Sequence, residues 1–291
     1  MPIKEIRCKT ILTTTKLKSI DYTINPYFGC QHACRYCYCR ELCERFGRHS
    51  GHEAWGSFVD VKVNATDVLN KELKKNPTGI VWLSSATDPY QPIERKYELT
   101  RKILNSLLNS RLKIDILTKA AMVTRDIDIF KQFGNRIIVG FTINMLDDSF
   151  RKELEPGAAT IEARISQLAE LKDTGIPVYA SFGPIFPFIT DVDALFKLFS
   201  KLGIRYTFTE SLNTRGKNWI EVRNVLEQKY PELLPKYEDI FFNPRTRREW
   251  HKKLAAQILH LSNRYGIKCD IYFDFVEKFK IQKAASAACS L

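Results

Sequence analysis

An α/β fold, built as a partial (β/α)6 barrel, is predicted by three features of the 291-residue sequence. Short apolar runs alternate with helix-period segments, the pattern of βα units on a parallel sheet. Six such runs occur, which suits a partial barrel better than an eight-unit one, although periodicity alone leaves a flat doubly wound sheet open. The hydrophobic fraction, 44%, supports a sizeable core and excludes a disordered chain. No run of about eighteen apolar residues is present, so no membrane span is expected. The first residues also lack the apolar stretch of a signal peptide. A soluble, cytoplasmic protein without a membrane partner is the expectation.

The first strand is expected over Ser19–Ile24, immediately before a cysteine cluster. The other five are expected over residues 79–84, 112–118, 136–142, 176–181 and 204–209, all rich in Ile, Val, Phe and Thr. Helical spacing of apolar residues marks Asp67–Lys74, Leu99–Leu108, Asp126–Phe133 and Ile161–Lys172 between them. Asp191 is placed to cap a helix running to Lys201. Beyond Thr209 the pattern changes to a helical stretch near Arg245–Arg264, a strand-like run over 269–273 and a small-residue tail over 284–290. The expected organisation is an N-terminal segment (1–17), a barrel (18–215) and a C-terminal α/β extension (216–291).

The chain has eight cysteines, five of them between Cys30 and Cys43. In a reducing compartment such crowding points to metal rather than disulfides. Cys30, Cys34 and Cys37 follow a C-x3-C-x2-C spacing directly after a strand. Three thiolates on one short loop can hold three corners of a [4Fe–4S] cube and leave the fourth iron open to an amino and carboxylate pair. Structural zinc generally wants two well-separated cysteine pairs. A ferredoxin-like electron carrier would recruit Cys39 or Cys43 as fourth ligand, and unliganded core cysteines are the plainest alternative.

Cys30-x3-Cys34-x-Tyr36-Cys37 resembles the signature of radical S-adenosylmethionine (SAM) enzymes. The segments Asp21–Cys30 and Thr87–Glu94, with Leu154-Glu155-Pro156 and Gly175–Val178, are similar to the spore photoproduct lyase-like branch over roughly residues 18–215. The resemblance implies a (β/α)6 radical SAM barrel, a [4Fe–4S] cluster, SAM as cofactor and a reductant such as ferredoxin or flavodoxin. It implies an enzyme that cleaves SAM to a 5′-deoxyadenosyl radical, which abstracts hydrogen from a substrate. DNA photoproduct repair or nucleic-acid modification is an alternative, and a non-catalytic electron-transfer protein a second.

The same resemblance assigns Cys30, Cys34 and Cys37 as iron ligands, Tyr36 to the adenine side and Tyr38 to a radical relay or a pocket wall. Ser85, Thr87 and Asp88 close the second strand, where polar contacts to SAM or substrate are expected by analogy with barrel active sites. A turn stabilised by Asp88 is the local alternative. Lys119 is assigned to the SAM carboxylate, and Thr142 and Ser181 to ribose hydroxyls. One departure stands out: Ser85 occupies the segment where photoproduct lyases carry a hydrogen-donating cysteine. A serine O–H bond is too strong to replace that thiol.

Net charge is +12, and Arg245–Lys253 is a dense basic stretch around Trp250. Such a segment can neutralise phosphates while the indole stacks a base, so nucleic acid is a possible partner. The alternative is an amphipathic helix with Trp250 docked on the barrel. His49 and His52 flank Gly51 near the cysteine loop, as groups behind the metal site or as surface residues.

Overall fold

The computed structural model describes residues 3–45 and 54–273. His49, His52 and the tail over 284–290 lie outside them. The elements begin with β1 (Ile3–Ile6), β2 (Thr13–Thr14), β3 (Tyr22–Ile24), β4 (Tyr27–Phe28) and, after the cysteine loop, α1 (Cys39–Arg45). They continue through β5 (Val59–Lys62), α2 (Ala65–Leu73), β6 (Thr78–Leu83), α3 (Glu94–Tyr97), α4 (Leu99–Leu107) and β7 (Arg111–Thr118). Next come α5 (Ile127–Phe133), β8 (Ile137–Thr142), α6 (Asp148–Leu154), α7 (Ile161–Asp173), β9 (Val178–Ser181), α8 (Val192–Lys201) and β10 (Tyr206–Glu210). The last are α9 (Lys217–Lys229), α10 (Leu234–Phe242), α11 (Pro244–Tyr265) and β11 (Lys268–Tyr272).

The main sheet runs β11-β10-β9-β8-β7-β6-β3-β2. Every neighbouring pair is parallel except β2 with β3. β3 and the strands from β6 to β11 therefore lie side by side in chain order, and the sheet stays open, with β2 and β11 at its edges. This is the partial barrel the sequence predicts, longer by two strands, the antiparallel β2 at one edge and β11 at the other. The apolar run over 269–273 joins the barrel sheet as β11, in register with β10 from Tyr206↔Lys268 to Glu210↔Tyr272.

Burial alternates along β7: Leu112, Ile114 and Ile116 are fully buried, with Asp115 and Leu117 only partly so. The buried set shares one core with Leu69 of α2, Leu104 of α4, Phe130 of α5, Leu168 of α7 and Phe199 of α8. Asp115 and its register partners Trp82 and Ile138 occupy the opposite face. Side-chain volume there is regulated by Gly140, paired with Tyr179. A Cβ at 140 would stand 2.2 Å from the Tyr179 ring.

Several expectations shift. The first strand begins at Tyr22, because a turn with Ser19 at φ 65° precedes it. The helix expected from Asp126 begins one residue later, at Ile127, and the Asp126 side chain does not cap it. Its buried carboxylate accepts from the Tyr90 hydroxyl (3.0 Å) and from Arg101 and Arg125. Asp191 does cap α8, accepting from the Ala194 N–H at 2.9 Å. A second sheet, β1-β5-β4, has no counterpart in the sequence reading. Its strands are two to four residues long, too short for a period to register.

Gly140→Ala is expected to lower stability by about 1–3 kcal/mol, the usual range for overpacking, because the Tyr179 ring has no free space to enter. Urea unfolding of the variant beside the parent checks this, and an unchanged midpoint would refute it.

Candidate functional site

Parallel strands in chain order end at a single edge of the sheet, so the segments following β3, β6, β7, β8 and β9 meet there. The cysteine loop leaves that edge through β4, which pairs antiparallel with β5. Gly29, at φ +87°, turns the chain into the loop, and a Cβ there would lie 2.6 Å from the Phe58 carbonyl oxygen. No larger residue fits that approach.

The segment after β6 braces the loop. The Thr87 hydroxyl donates to the Gly29 carbonyl at 2.7 Å, and the Gln91 amide donates to Thr87 Oγ1 at 2.7 Å. Gln91 Oε1 accepts from the Gln31 N–H at 2.9 Å. Asn25 Oδ1 accepts from the Ala86 N–H at 2.8 Å. Asp88 is the node of this region. It accepts from the Tyr90 N–H (2.9 Å), the Thr118 hydroxyl (2.7 Å) and the Lys119 N–H (3.0 Å), and it faces His32 Nδ1 at 3.3 Å. Burial works to raise the Asp88 carboxyl, but His32 and these donors outweigh it and bring it down to about 2.

A second brace comes from the turn after α6. The Arg35 N–H donates to the Leu154 carbonyl at 2.8 Å, and the Gly157 N–H donates to the His32 carbonyl at 3.0 Å. A Cβ at 157 would lie 2.0 Å from the Gln31 carbonyl oxygen, so the two backbones touch. The Tyr36 hydroxyl donates to Glu155. The other Glu155 oxygen is ion-paired with Arg164, and both side chains are fully buried. Arg164 also donates to the Thr142 carbonyl (3.0 Å) and to the Ala159 carbonyl (3.0 Å).

Lys119 is half-buried, with Nζ 5.8 Å from the centre of the Tyr36 ring. Burial opposes its charge, but Cys34 and Glu155 nearby hold it above the ordinary lysine value. Among the described residues its ammonium has no hydrogen-bonded acceptor, which leaves a cation available to an anionic ligand. Thr142 and Ser181 are register partners at the ends of β8 and β9, both buried. The Ser85 carbonyl accepts from the Tyr38 hydroxyl at 2.6 Å, and Cys39 Sγ lies 3.9 Å from the same oxygen. Tyr38 is 45% exposed.

The structure thus brings the three loop cysteines, Tyr36, Tyr38, Ser85, Thr87, Asp88, Lys119, Thr142 and Ser181 to one edge, with a change of emphasis. Thr87 and Asp88 are spent on protein partners; Asp88 combines the expected turn with a link to His32 and β7. Trp250 is docked rather than presented, with Phe241 (5.8 Å) and His251 (5.0 Å) against its ring. Gln31, His32, Gln91, Glu155 and Arg164 were not nominated. For the first four the signal was faint, polar residues inside or beside the Cys, Thr-Asp-Pro and Leu-Glu-Pro motifs; Arg164, within the helix Ile161–Asp173, carried none.

Cys30, Cys34 and Cys37 are free thiols on this braced loop; Cys37 acts electrostatically on both of the others, and Cys30 on Cys34. Burial pushes Cys30 up to about 12 and Cys34 well above the usual thiol range. A hydrogen bond with Cys39 lowers Cys37. Buried thiols of this kind release their protons to solvent when they bind a metal core, whose charge reverses the local preference. Among the described residues no three His, Cys, Asp or Glu side chains gather as a site for a single metal ion. Three soft sulfur donors with a neighbouring free cation suit a [4Fe–4S] cluster with one open iron.

Residues 24–199 match the profile of the Radical SAM superfamily. An uncharacterized protein of Methanocaldococcus jannaschii is 38% identical over 231 residues, 79% of this chain and 84% of that protein. A radical SAM Nα-GlyT isomerase of Pseudomonas phage M6 is 25% identical over 223 residues, 74% of this chain and 45% of that protein. Among solved structures, a spore photoproduct lyase complexed with dinucleoside spore photoproduct superposes with a TM-score of 0.67. That match is at 16% identity and covers 94% of this chain and 82% of the lyase.

Asp88→Asn removes a buried anion from four partners and is expected to cost about 2–4 kcal/mol at neutral pH. The Asp88 contribution is complete above its ordinary value of 3.8 and is lost as pH falls through about 2. The stability gap between parent and variant should therefore close between about pH 4 and pH 2 in chemical denaturation. A gap independent of pH would refute this account.

Proposed function

The chain is an enzyme of the radical SAM superfamily, and from that premise we propose that Cys30, Cys34 and Cys37 hold a [4Fe–4S] cluster whose open iron takes SAM. When bound, cluster and SAM supply one-electron reductive cleavage and a hydrogen-abstracting 5′-deoxyadenosyl radical, with the electron coming from an external reductant such as ferredoxin or flavodoxin. The observation that carries this reading is that one braced loop bearing three free thiols and the available Lys119 cation share one sheet edge. Lys119 binds the carboxylate of SAM as a charge-assisted pair. Tyr36, between two ligands, packs beside Phe186 (5.4 Å) and offers its ring edge to the adenine. The end-of-strand hydroxyls Thr142 and Ser181 receive ribose, and the exposed Tyr38 forms a wall toward substrate. Residues 18–215 make up the catalytic barrel, with 1–17 before it and 216–291 as an extension.

A second reading, with nucleic acid as substrate, is favoured by the net charge of +12 and by the dinucleoside photoproduct held in a protein of the same fold. Ser85 lacks the thiol that would return hydrogen in photoproduct repair. A nucleic-acid reaction here would therefore be a modification, or a repair with another hydrogen source.

Anaerobic reconstitution with iron and sulfide, then SAM and dithionite, is expected to yield 5′-deoxyadenosine, with Cys34→Ala falling to background. Stimulation by UV-irradiated DNA would support the second reading. A fully loaded cluster that neither cleaves nor binds SAM, with Cys39→Ala or Cys43→Ala losing the cluster, would establish an electron carrier instead. In the same preparation Lys119→Gln is expected to weaken SAM binding about 30-fold, ~2 kcal/mol, in equilibrium titration. Unchanged affinity would remove Lys119 from the site.

A further inference from the structure

Glu155 lies outside the cysteine motif, yet it is fully buried and held below the ordinary carboxylate range, since Arg164 and Lys119 outweigh the cost of its burial. A buried ion pair is seldom needed for stability, because an apolar pair of equal volume commonly serves as well. A neutral amide could also accept the Tyr36 hydroxyl. The charge therefore calls for a reason beyond packing.

Three charges surround the Tyr36 ring. Glu155 accepts its hydroxyl, Arg164 pairs with Glu155, and Lys119 stands 5.8 Å from the ring centre. Their sum is one positive charge, and without Glu155 it would be two. Cys34 and Cys37 flank Tyr36 in the chain, so the thiol loop lies within this field. Charges act strongly at such range when water is excluded. Net charge is one of the factors that set the reduction potential of an iron–sulfur cluster.

We propose that Glu155 is a positioning residue for the cluster loop: its carboxylate fixes Tyr36 and offsets one of two adjacent cations, which holds the cluster's reduction potential low. This rests on the reading that Cys30, Cys34 and Cys37 carry a [4Fe–4S] cluster. A lower potential makes the reduced cluster a stronger one-electron donor.

The test is the midpoint of one-electron reduction of the reconstituted cluster, poised with dithionite and followed by electron paramagnetic resonance without SAM. Glu155→Gln is expected to shift the midpoint to more positive values and Lys119→Gln to more negative ones. The double variant Glu155→Gln with Arg164→Met removes one anion and one cation together and is expected to return to the parent value. Tyr36→Phe, which removes a hydrogen bond and no charge, is expected to move it least. Shifts of one sign in all four, or none in Glu155→Gln, would overturn the inference while leaving the cluster assignment intact. If Glu155→Gln alone fails to load, the double variant at the parent value with Lys119→Gln below it supports the proposal, and any other order overturns it. A parent protein that takes up no [4Fe–4S] cluster overturns the functional reading and this inference with it.

Discussion

A loop that carries three thiols within eight residues pairs little of its own backbone in a ladder, and its buried polar groups must find partners elsewhere. The upper edge of this sheet is organised by that requirement. Thr87 and Gln91 serve the Gly29 carbonyl, Gln91 serves the Gln31 N–H, Leu154 serves the Arg35 N–H and Gly157 serves the His32 carbonyl. His32 itself is tied to Asp88, which also fixes the end of β7 and the backbone of Lys119. The thiols are positioned from two sides by segments that contain no cysteine.

Much of this was legible, but unevenly. Each barrel strand had a run of β-branched or aromatic residues, and their chain-order pairing followed from the helices between them. The cysteine spacing was local and therefore readable. So were Thr87–Glu94 and Leu154–Pro156, as motifs. Their work was not readable, because it consists of contacts across long separations: 62 residues from Gln91 to Gly29 and 119 from Tyr36 to Glu155. Asp88 illustrates the gap. Beside Pro89 it reads as a turn former or a ligand contact, and only the fold brings Thr118 and His32 to it. Gln91, though inside the Thr87–Glu94 motif, carried no signal of its bonds to Gly29 and Gln31. β4 and β5 were invisible for another reason: too few residues to show a period.

The basic stretch from Arg245 shows how composition can mislead about a single side chain. It forms the first turns of α11, begun by an Asn243 cap on the N–H groups of Arg245 and Thr246. Arg248, Lys252 and Lys253 are exposed, so the charge does face solvent. Trp250 faces inward, in an aromatic group with Phe241, His251 and Phe273 that seats the helix. His251 in turn bonds Ser211 at 3.0 Å, just past β10. The aromatic in the middle of the basic run belongs to the packing, and the charges around it belong to the surface.

The contact between Gly157 and Gln31 sets an order of assembly. During synthesis the cysteine loop leaves the ribosome long before the turn after α6 exists. Until residues near 157 arrive, the Arg35 N–H and the His32 carbonyl lack their partners at Leu154 and Gly157, and the thiols sit on a segment braced from one side only. Contacts at such sequence separation are entropically late in folding. The thiols are thus exposed to oxidation and to stray metals for the time the chain takes to reach its fourth βα unit. A cellular machinery that loads iron and sulfur would meet an organised loop only after that point. Substitutions in the Leu154–Gly157 turn should accordingly affect how much loaded protein a cell accumulates, whatever they do to the finished molecule.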